Sequence, residues 1–93
     1  MPILIKHCRI RVFGLVQGVL FRESARRTAN ELNIKGLARN QADGSVYLEA
    51  EGEEESLKKF IQWCERGPVR AQVQKIEVGA GQLKNYQNFL VFD

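Results

Sequence analysis

One stretch decides the fold of this chain, and it reads Phe13-Gly14-Leu15-Val16-Gln17-Gly18-Val19-Leu20-Phe21-Arg22. Alternating apolar residues before it predict a β-strand, and apolar residues at helical spacing after it predict an α-helix. The two glycines predict a tight loop between these elements. Backbone N–H groups in such a loop point outward at the helix N-terminus, where the helix dipole adds positive charge and attracts phosphate. We therefore interpret residues 15–21 as an anion-binding loop.

Arg22 follows this loop in the first helical turn, where its guanidinium would offer the same anion a planar fork of donors. The glycine spacing matches neither the nucleotide P-loop nor the dinucleotide fingerprint. Glycines also serve ordinary strand-to-helix turns, which is the alternative interpretation of the loop.

The other elements follow from periodicity and turn signals. A first strand is predicted over residues 3–13, with Cys8, Ile10 and Val12 facing a core and His7, Arg9 and Arg11 facing solvent. The helix after the loop is predicted to stop at Asn33. Short strands over 37–40 and 46–50 flank an Asp43-Gly44 hairpin signal, and a second helix starts in the acidic run 53–55 and stops at Gly67-Pro68. A strand over 70–78 with a bulge, a loop over 79–86 and a strand over 88–92 complete the chain.

This order predicts an α+β protein with a ferredoxin-like βαββαβ sandwich, in which an antiparallel sheet carries two helices on one face. A short extra strand lies at the C-terminus, and the other face of the sheet is left open. Right-handed crossovers place the first and third strands side by side, which brings the anion loop near Arg39 and Asn40 on the second strand.

Composition narrows the class of protein. The chain has 93 residues, which predicts one domain over 1–93. The first 40 residues carry eight Lys and Arg against two Glu, whereas the remainder carries six against nine acids, so the basic half contains the loop. That asymmetry favours an anionic partner. We do not expect this partner to be nucleic acid, because the sequence has few clusters of basic and aromatic residues. We expect a cytoplasmic monomer with no cofactor and no membrane partner.

Other candidate sites are weaker. Cys64 and Arg70 have the C-x₅-R spacing of cysteine-dependent phosphatases, but Cys64 lies on an apolar face near the end of a helix, where the dipole opposes a thiolate. We expect a core thiol there, as for Cys8. Glu49 and Glu51 share the outward face of one strand, which any solvated strand also produces. A lone histidine and two distant cysteines predict no metal site.

The absence of a nucleophile and a general acid constrains the substrate. A phosphate ester needs its alkoxide leaving group protonated or bound to a metal, whereas a mixed carboxylic-phosphoric anhydride expels a stable carboxylate unaided. Positioning and charge neutralisation would suffice for the anhydride.

The run from Val12 to Arg22 resembles the V-x-G-x-V-Q-G-V-x-F-R signature of acylphosphatases. The resemblance continues through Gly36-Leu37-Ala38-Arg39-Asn40, Asp43-Gly44-Ser45-Val46 and Glu51-Gly52 to Gly67-Pro68 and covers about residues 6–92. It implies hydrolysis of acyl phosphates to a carboxylate and inorganic phosphate, without a metal or a covalent intermediate.

The resemblance also implies roles for individual residues. Arg22 corresponds to the phosphate-binding arginine, and Asn40 to the asparagine that orients the attacking water. The amides of the cradle correspond to Leu15, Val16, Gln17, Gly18, Val19, Leu20 and Phe21. The bound phosphate itself would take the proton of the water. A noncatalytic module that binds a phosphorylated ligand or RNA on the same fold is the alternative.

This chain departs from the family pattern at two loop positions. Leu15 stands where many members carry a basic residue, which lowers the expected positive field. Leu20 stands where a small residue is common, and its branched side chain would alter the loop or shield the pocket, so we expect reduced activity.

Overall fold

The structure, a computed structural model, describes residues 3–93 and contains five strands and two helices. Met1 and Pro2, which the predicted domain includes, lie outside the described residues. The elements in chain order are β1 (Ile5–Leu15), α1 (Phe21–Glu31), β2 (Lys35–Asn40), β3 (Val46–Glu53), α2 (Glu54–Arg66), β4 (Gln72–Gly81) and β5 (Phe89–Phe92). The predicted ferredoxin-like order of elements is confirmed, with Asn33 in the left-handed region after α1.

The strands form one sheet in the order β4-β1-β3-β2-β5, so β1 and β3 are neighbours as predicted. The predicted antiparallel sheet is confirmed for β4, β1, β3 and β2, and the extra C-terminal strand β5 pairs parallel to β2 at the edge, from Gly36 opposite Phe89 to Arg39 opposite Phe92. A parallel neighbour needs a long crossover connection, and α2, β4 and the loop after it supply that length. The sheet is therefore mixed.

Both helices pack on one face of the sheet and enclose the hydrophobic core. The residues that strand alternation predicted to face inward form the sheet side of this core. They are at most 1% exposed at Ile10, Val12, Val46, Leu48 and Ala50. Phe21 and Ala25 of α1 and Phe60 of α2 complete it from the helical side. No helix within residues 3–93 is long and apolar enough to cross a membrane.

The predicted bulge lies on β4 opposite the start of the anion loop. Phe13 pairs with Lys75 and Gly14 with Val73, so Gln74 is the extra residue. Gly14 has φ +130°, and a Cβ there would stand 2.2 Å from the carbonyl oxygen of Gln72. Only glycine can bring the end of β1 this close to β4, and the chain leaves the sheet here.

The sheet face turned away from the helices, here called the open face, is partly covered. The segment 82–88 folds back over it, and as a result His7, Glu49 and Glu51 are at most 5% exposed. The predictions that His7 faces solvent and that the two acids lie on a solvated strand are wrong, although all three do lie on the face opposite the core. Strand alternation shows which face a side chain occupies but not what packs over it.

Hydrogen bonds satisfy the buried acids. The hydroxyl groups of Tyr86 and Tyr47 donate to Glu49 over 2.6 and 2.8 Å, and Lys84 Nζ lies 2.8 Å from its Oε1. Glu51 accepts the backbone N–H groups of Lys84 and Tyr86 and lies 2.7 Å from Nδ1 of His7. These bonds fix the segment 82–88 to the sheet. Burial opposes ionisation of Glu49, but its bonds to Lys84, Tyr86 and Tyr47 outweigh burial and lower its pKa to about 2.

The low pKa of Glu49 predicts loss of stability in acid. Its pKa of about 2 in the folded chain lies below the ordinary 4.5, so the ionised carboxylate stabilises the fold fully above about pH 4.5. That contribution, roughly 3 kcal/mol at most, is lost as pH falls from 4.5 towards 2. Urea unfolding at a series of pH values should show this decline, and Glu49→Gln should flatten it. Glu65→Gln, an exposed change on α2, is the control. An equal acid decline in wild type and Glu49→Gln would contradict the assignment.

Candidate active site

The loop between β1 and α1 is held by buried side chains on either side of an exposed centre. Val16, Val19 and Phe21 are at most 8% exposed and anchor it in the core. Gly18 between them is exposed, with φ +75° and open space within 4 Å of where its Cβ would lie. Glycine is therefore favoured at position 18 by the backbone conformation and not by close packing. The backbone of residues 15–21 thus curves around an accessible space at the N-terminus of α1.

The side chain of Gln17 ties this loop to the β2–β3 turn, a role that sequence reasoning missed. Its Nε2 donates to the carbonyl oxygens of Gln41 and Ser45 over 2.8 and 3.0 Å. The turn is braced in its own right, because Ser45 donates to Asp43 from both Oγ and N–H. Those bonds lower the pKa of Asp43 below its ordinary value. The Gln17 bonds join residues more than 20 positions apart, and the only signal in the sequence was a polar residue among apolar loop positions.

Arg22 is oriented by the end of β5. Its side chain is 26% exposed, and Nη1 donates to the carbonyl oxygen of Phe92 and lies 3.8 Å from Oδ1 of Asp93. Asp93 is fully exposed, so this ion pair is weak and competes poorly with a bound anion. The guanidinium is therefore positioned by a backbone carbonyl while its other donors remain available for a phosphate oxygen.

Asn40 is the last residue of β2 and lies beside the same region. Its Oδ1 is buried and accepts no hydrogen bond from any residue in the range 3–93. A buried polar atom without a partner costs about 1–3 kcal/mol, so such atoms are rare and are concentrated at functional sites. The fold therefore tolerates a cost at Asn40 that packing does not explain.

The loop, Arg22 and Asn40 meet in one cavity of about 260 Å³. Its lining residues include Gly18, Leu20, Arg22, Asn40, Val91 and Asp93. The cavity thus brings together residues of the β1–α1 loop, of β2 and of β5, because β2 lies between β3 and β5 in the sheet. The cavity combines the backbone of the loop at the N-terminus of α1, one guanidinium and one amide side chain, which is an arrangement suited to a small tetrahedral anion and a water molecule.

The two unusual leucines lie at the surface of the loop. Leu15, the last residue of β1, is 53% exposed, and Leu20 is 70% exposed at the rim of the cavity. Leu20 is also the N-cap of α1, with φ 65° and ψ 26°. A leucine in this left-handed region costs roughly 1 kcal/mol. Because the Leu20 side chain is mostly exposed, it borders the cavity without filling it.

The competing candidates lie elsewhere. Cys64 is fully buried in α2, and burial raises the pKa of its thiol, with Cys8 and Glu65 adding to the shift. Burial likewise raises the pKa of Cys8, to about 11. Both are free core thiols, as predicted. His7 lies beneath the segment 82–88 and does not line the cavity. Within residues 3–93, no group of three or more His, Cys, Asp or Glu side chains is arranged to hold a metal ion.

Known proteins resemble this chain along most of its length. The family model described as Acylphosphatase matches residues 8–91. An acylphosphatase of Archaeoglobus fulgidus is 48% identical over 82 residues, which is 88% of this chain and 92% of that protein. An acylphosphatase of Thermotoga maritima is 41% identical over 86 residues, with 92% and 96% covered.

Solved structures agree with the fold. An acylphosphatase from Coxiella burnetii superposes with a TM-score of 0.91 at 35% identity, covering 95% of this chain and 93% of that one. The acylphosphatase from Bacillus subtilis gives a TM-score of 0.91 at 31% identity, with 97% and 100% covered. The family match spans the anion loop, Arg22 and Asn40 together, and on this evidence the chain belongs to the acylphosphatase family.

Proposed function

We propose that this protein hydrolyses acyl phosphates to a carboxylate and inorganic phosphate, with Arg22 and the loop amides binding the phosphate and Asn40 orienting the attacking water. The observation that carries the proposal is the shared cavity, which Arg22, Gly18 and Asn40 line together. Membership of the acylphosphatase family supports the same reaction.

The phosphate would lie over residues 15–21, where several N–H groups and the dipole of α1 favour negative charge. Arg22 adds a full positive charge and two directed donors. These groups are already in position, since Val16 and Val19 are anchored in the core and Gln17 is bonded to the next turn. A preorganised site of this kind stabilises the charge that develops in the transition state without reorganising at the moment of reaction.

Asn40 would hold water against the phosphorus atom. Asn40 lines the cavity, where its side-chain amide can hydrogen-bond a water and leave a lone pair of that water free to attack. A phosphate oxygen then takes the proton of the water. The P–O bond to the acyl group breaks and its electron pair leaves on the carboxylate, a group stable enough to depart without a general acid.

A comparison of two substrates tests the reaction class. In buffer with EDTA, the purified chain should hydrolyse benzoyl phosphate, and the rate with p-nitrophenyl phosphate should be at least a hundredfold lower, because only the first expels a carboxylate. Equal rates on both substrates would contradict the mechanism. Binding of inorganic phosphate without turnover of either substrate would favour the noncatalytic alternative.

Three further predictions belong with this proposal. The chain would act as a single acylphosphatase-like domain over 1–93, as a monomer. It would work in the cytoplasm, a compartment whose reducing conditions suit two free, buried cysteines. Gel filtration tests the monomer directly, and a dimer eluting at micromolar concentration would contradict it.

A further inference from the structure

The uncovered half of the open face carries basic side chains stacked against aromatic rings. The guanidinium carbons of Arg39 and Arg11 lie 5.0 and 5.9 Å from the centre of the Tyr47 ring, and Nζ of Lys75 lies 4.8 Å from the centre of the Phe13 ring. We call these five residues, Arg11, Phe13, Arg39, Tyr47 and Lys75, the basic–aromatic patch. The patch leaves no signal in the sequence because its members lie on four different strands.

Strand register explains why the patch is continuous. Tyr47 of β3 pairs with Arg11 of β1 on one side and with Arg39 of β2 on the other. Residues paired in this way point to the same face. Phe13 lies two residues beyond Arg11 and pairs with Lys75 of β4. The patch therefore crosses four strands, a width of about 14 Å at the usual strand spacing.

The patch is strongly positive. With Arg9 at its edge it holds four cations against two exposed acids, Glu77, whose carboxylate lies 3.7 Å from Lys75, and Asp43 of the β2–β3 turn, whose charge interacts with Arg11. The resulting excess is two positive charges. Among residues 3–93, neither Arg11 nor Arg39 forms an ion pair within 4 Å. Such a surface repels a second copy of itself and attracts a polyanion.

The aromatic rings select among polyanions. An acidic peptide or a double helix would use only the cations, whereas unpaired bases also stack on exposed rings and on guanidinium planes. Arg9, Arg11, Tyr47 and Glu77 line a shallow depression of about 290 Å³ beside the rings, which gives a base room to lie against Tyr47.

We infer that the basic–aromatic patch binds single-stranded nucleic acid, with bases stacked against the Arg39–Tyr47 and Lys75–Phe13 cation–ring pairs and the phosphodiester backbone held by Arg11, Arg39 and Lys75. This interaction is separate from the proposed hydrolysis, since the patch lies on the opposite face of the sheet from the helices and its residues do not line the phosphate cavity.

Fluorescence anisotropy of a labelled oligouridylate of about ten nucleotides tests the inference on the full chain. Binding should weaken with salt, with log K falling against log salt at a slope of about −2 to −3 for three or four phosphate contacts. An oligodeoxythymidylate of the same length shows whether RNA and DNA, which share this chemistry, bind alike. A duplex of equal length should bind several times more weakly, because its bases are already stacked.

Substitutions separate stacking from charge. Tyr47→Leu should weaken binding at least fivefold, whereas Tyr47→Phe should bind like the wild type because it keeps the ring. Arg11→Ala should flatten the salt slope by about 1, and Lys59→Ala, the same charge change on α2, should leave the slope unchanged. Circular dichroism checks the fold of each variant. Hydrolysis of benzoyl phosphate by Tyr47→Leu should stay within about twofold of wild type.

Two results would overturn the inference. One is the absence of binding to either oligonucleotide at about 50 mM salt. The other is equal affinity for the single strand, the duplex and polyglutamate together with wild-type affinity of Tyr47→Leu, which would show attraction by charge alone. Neither result bears on the proposed hydrolysis, because that reaction is measured in the absence of nucleic acid.

Discussion

Replacing Arg22 with alanine is expected to lower kcat/KM for acyl phosphate hydrolysis by a hundred- to a thousandfold. Removal of one preorganised donor from a site of developing charge costs about this much, and Arg22 supplies both a charge and a fork of donors. Because the proposed role of Arg22 includes holding the phosphate in the ground state, the inhibition constant for inorganic phosphate should also rise. Steady-state kinetics with phosphate as a competitive inhibitor measures both effects.

Two variants make this test specific. Arg22→Lys keeps the charge but loses the planar fork, and should fall between alanine and wild type. Arg27→Ala removes an exposed arginine one and a half turns further along α1 and should retain wild-type activity. Arg22 also bonds to Phe92, so urea unfolding should accompany the kinetics. Wild-type kcat/KM in a folded Arg22→Ala protein would remove Arg22 from the mechanism.

Replacing Asn40 with alanine should instead lower kcat by about a hundredfold while inhibition by phosphate changes little. A misplaced nucleophile alone costs about that factor, and the charge clamp on the phosphate is left intact. Asn40→Ala is therefore expected to lower kcat without changing phosphate affinity, whereas Arg22→Ala should weaken both. One set of kinetic measurements distinguishes the two variants.

The stability of the Asn40→Ala protein provides an independent check. Because Oδ1 of Asn40 is buried without a donor in the described chain, its removal takes away an unsatisfied polar atom. The free energy of unfolding should stay equal to that of wild type or rise by about 1 kcal/mol. A variant that is inactive and more stable is typical of a residue retained for function. A loss of several kcal/mol would show that Asn40 is structural.

The local elements followed from the sequence with small errors at their ends. Alternation of Cys8, Ile10 and Val12 predicted the buried side of β1, and the glycines at 14 and 18 predicted where the strand leaves the sheet. These features depend on periods of two and 3.6 residues and on backbone conformations that glycine allows, so neighbouring residues suffice to reveal them. The position of Arg22 in the first turn of α1, next to the loop, was predicted for the same reason.

Of the features that join distant residues, the pairing of β1 with β3 was predicted, but others were missed or wrong. The parallel pairing of β5 with β2 depends on how the chain returns after β4, and the burial of His7 depends on Tyr86 packing 6.2 Å from its ring. The bonds of Gln17 to the β2–β3 turn are of the same kind. Local patterns carry no information on such contacts, because they arise only when separate elements pack together.

The order of strands and helices, the core face of each, and the glycine-bracketed loop followed by an arginine could be predicted from the sequence, because these features rest on local periodicity and backbone preference. What surrounds them depends on tertiary packing. It brought Asn40 and Arg22 to one cavity, buried Glu49 and Glu51 beneath a returning segment, and assembled Tyr47 with its two arginines. Each of these depends on strand order and register, which are settled by long-range packing rather than by any one stretch of the chain.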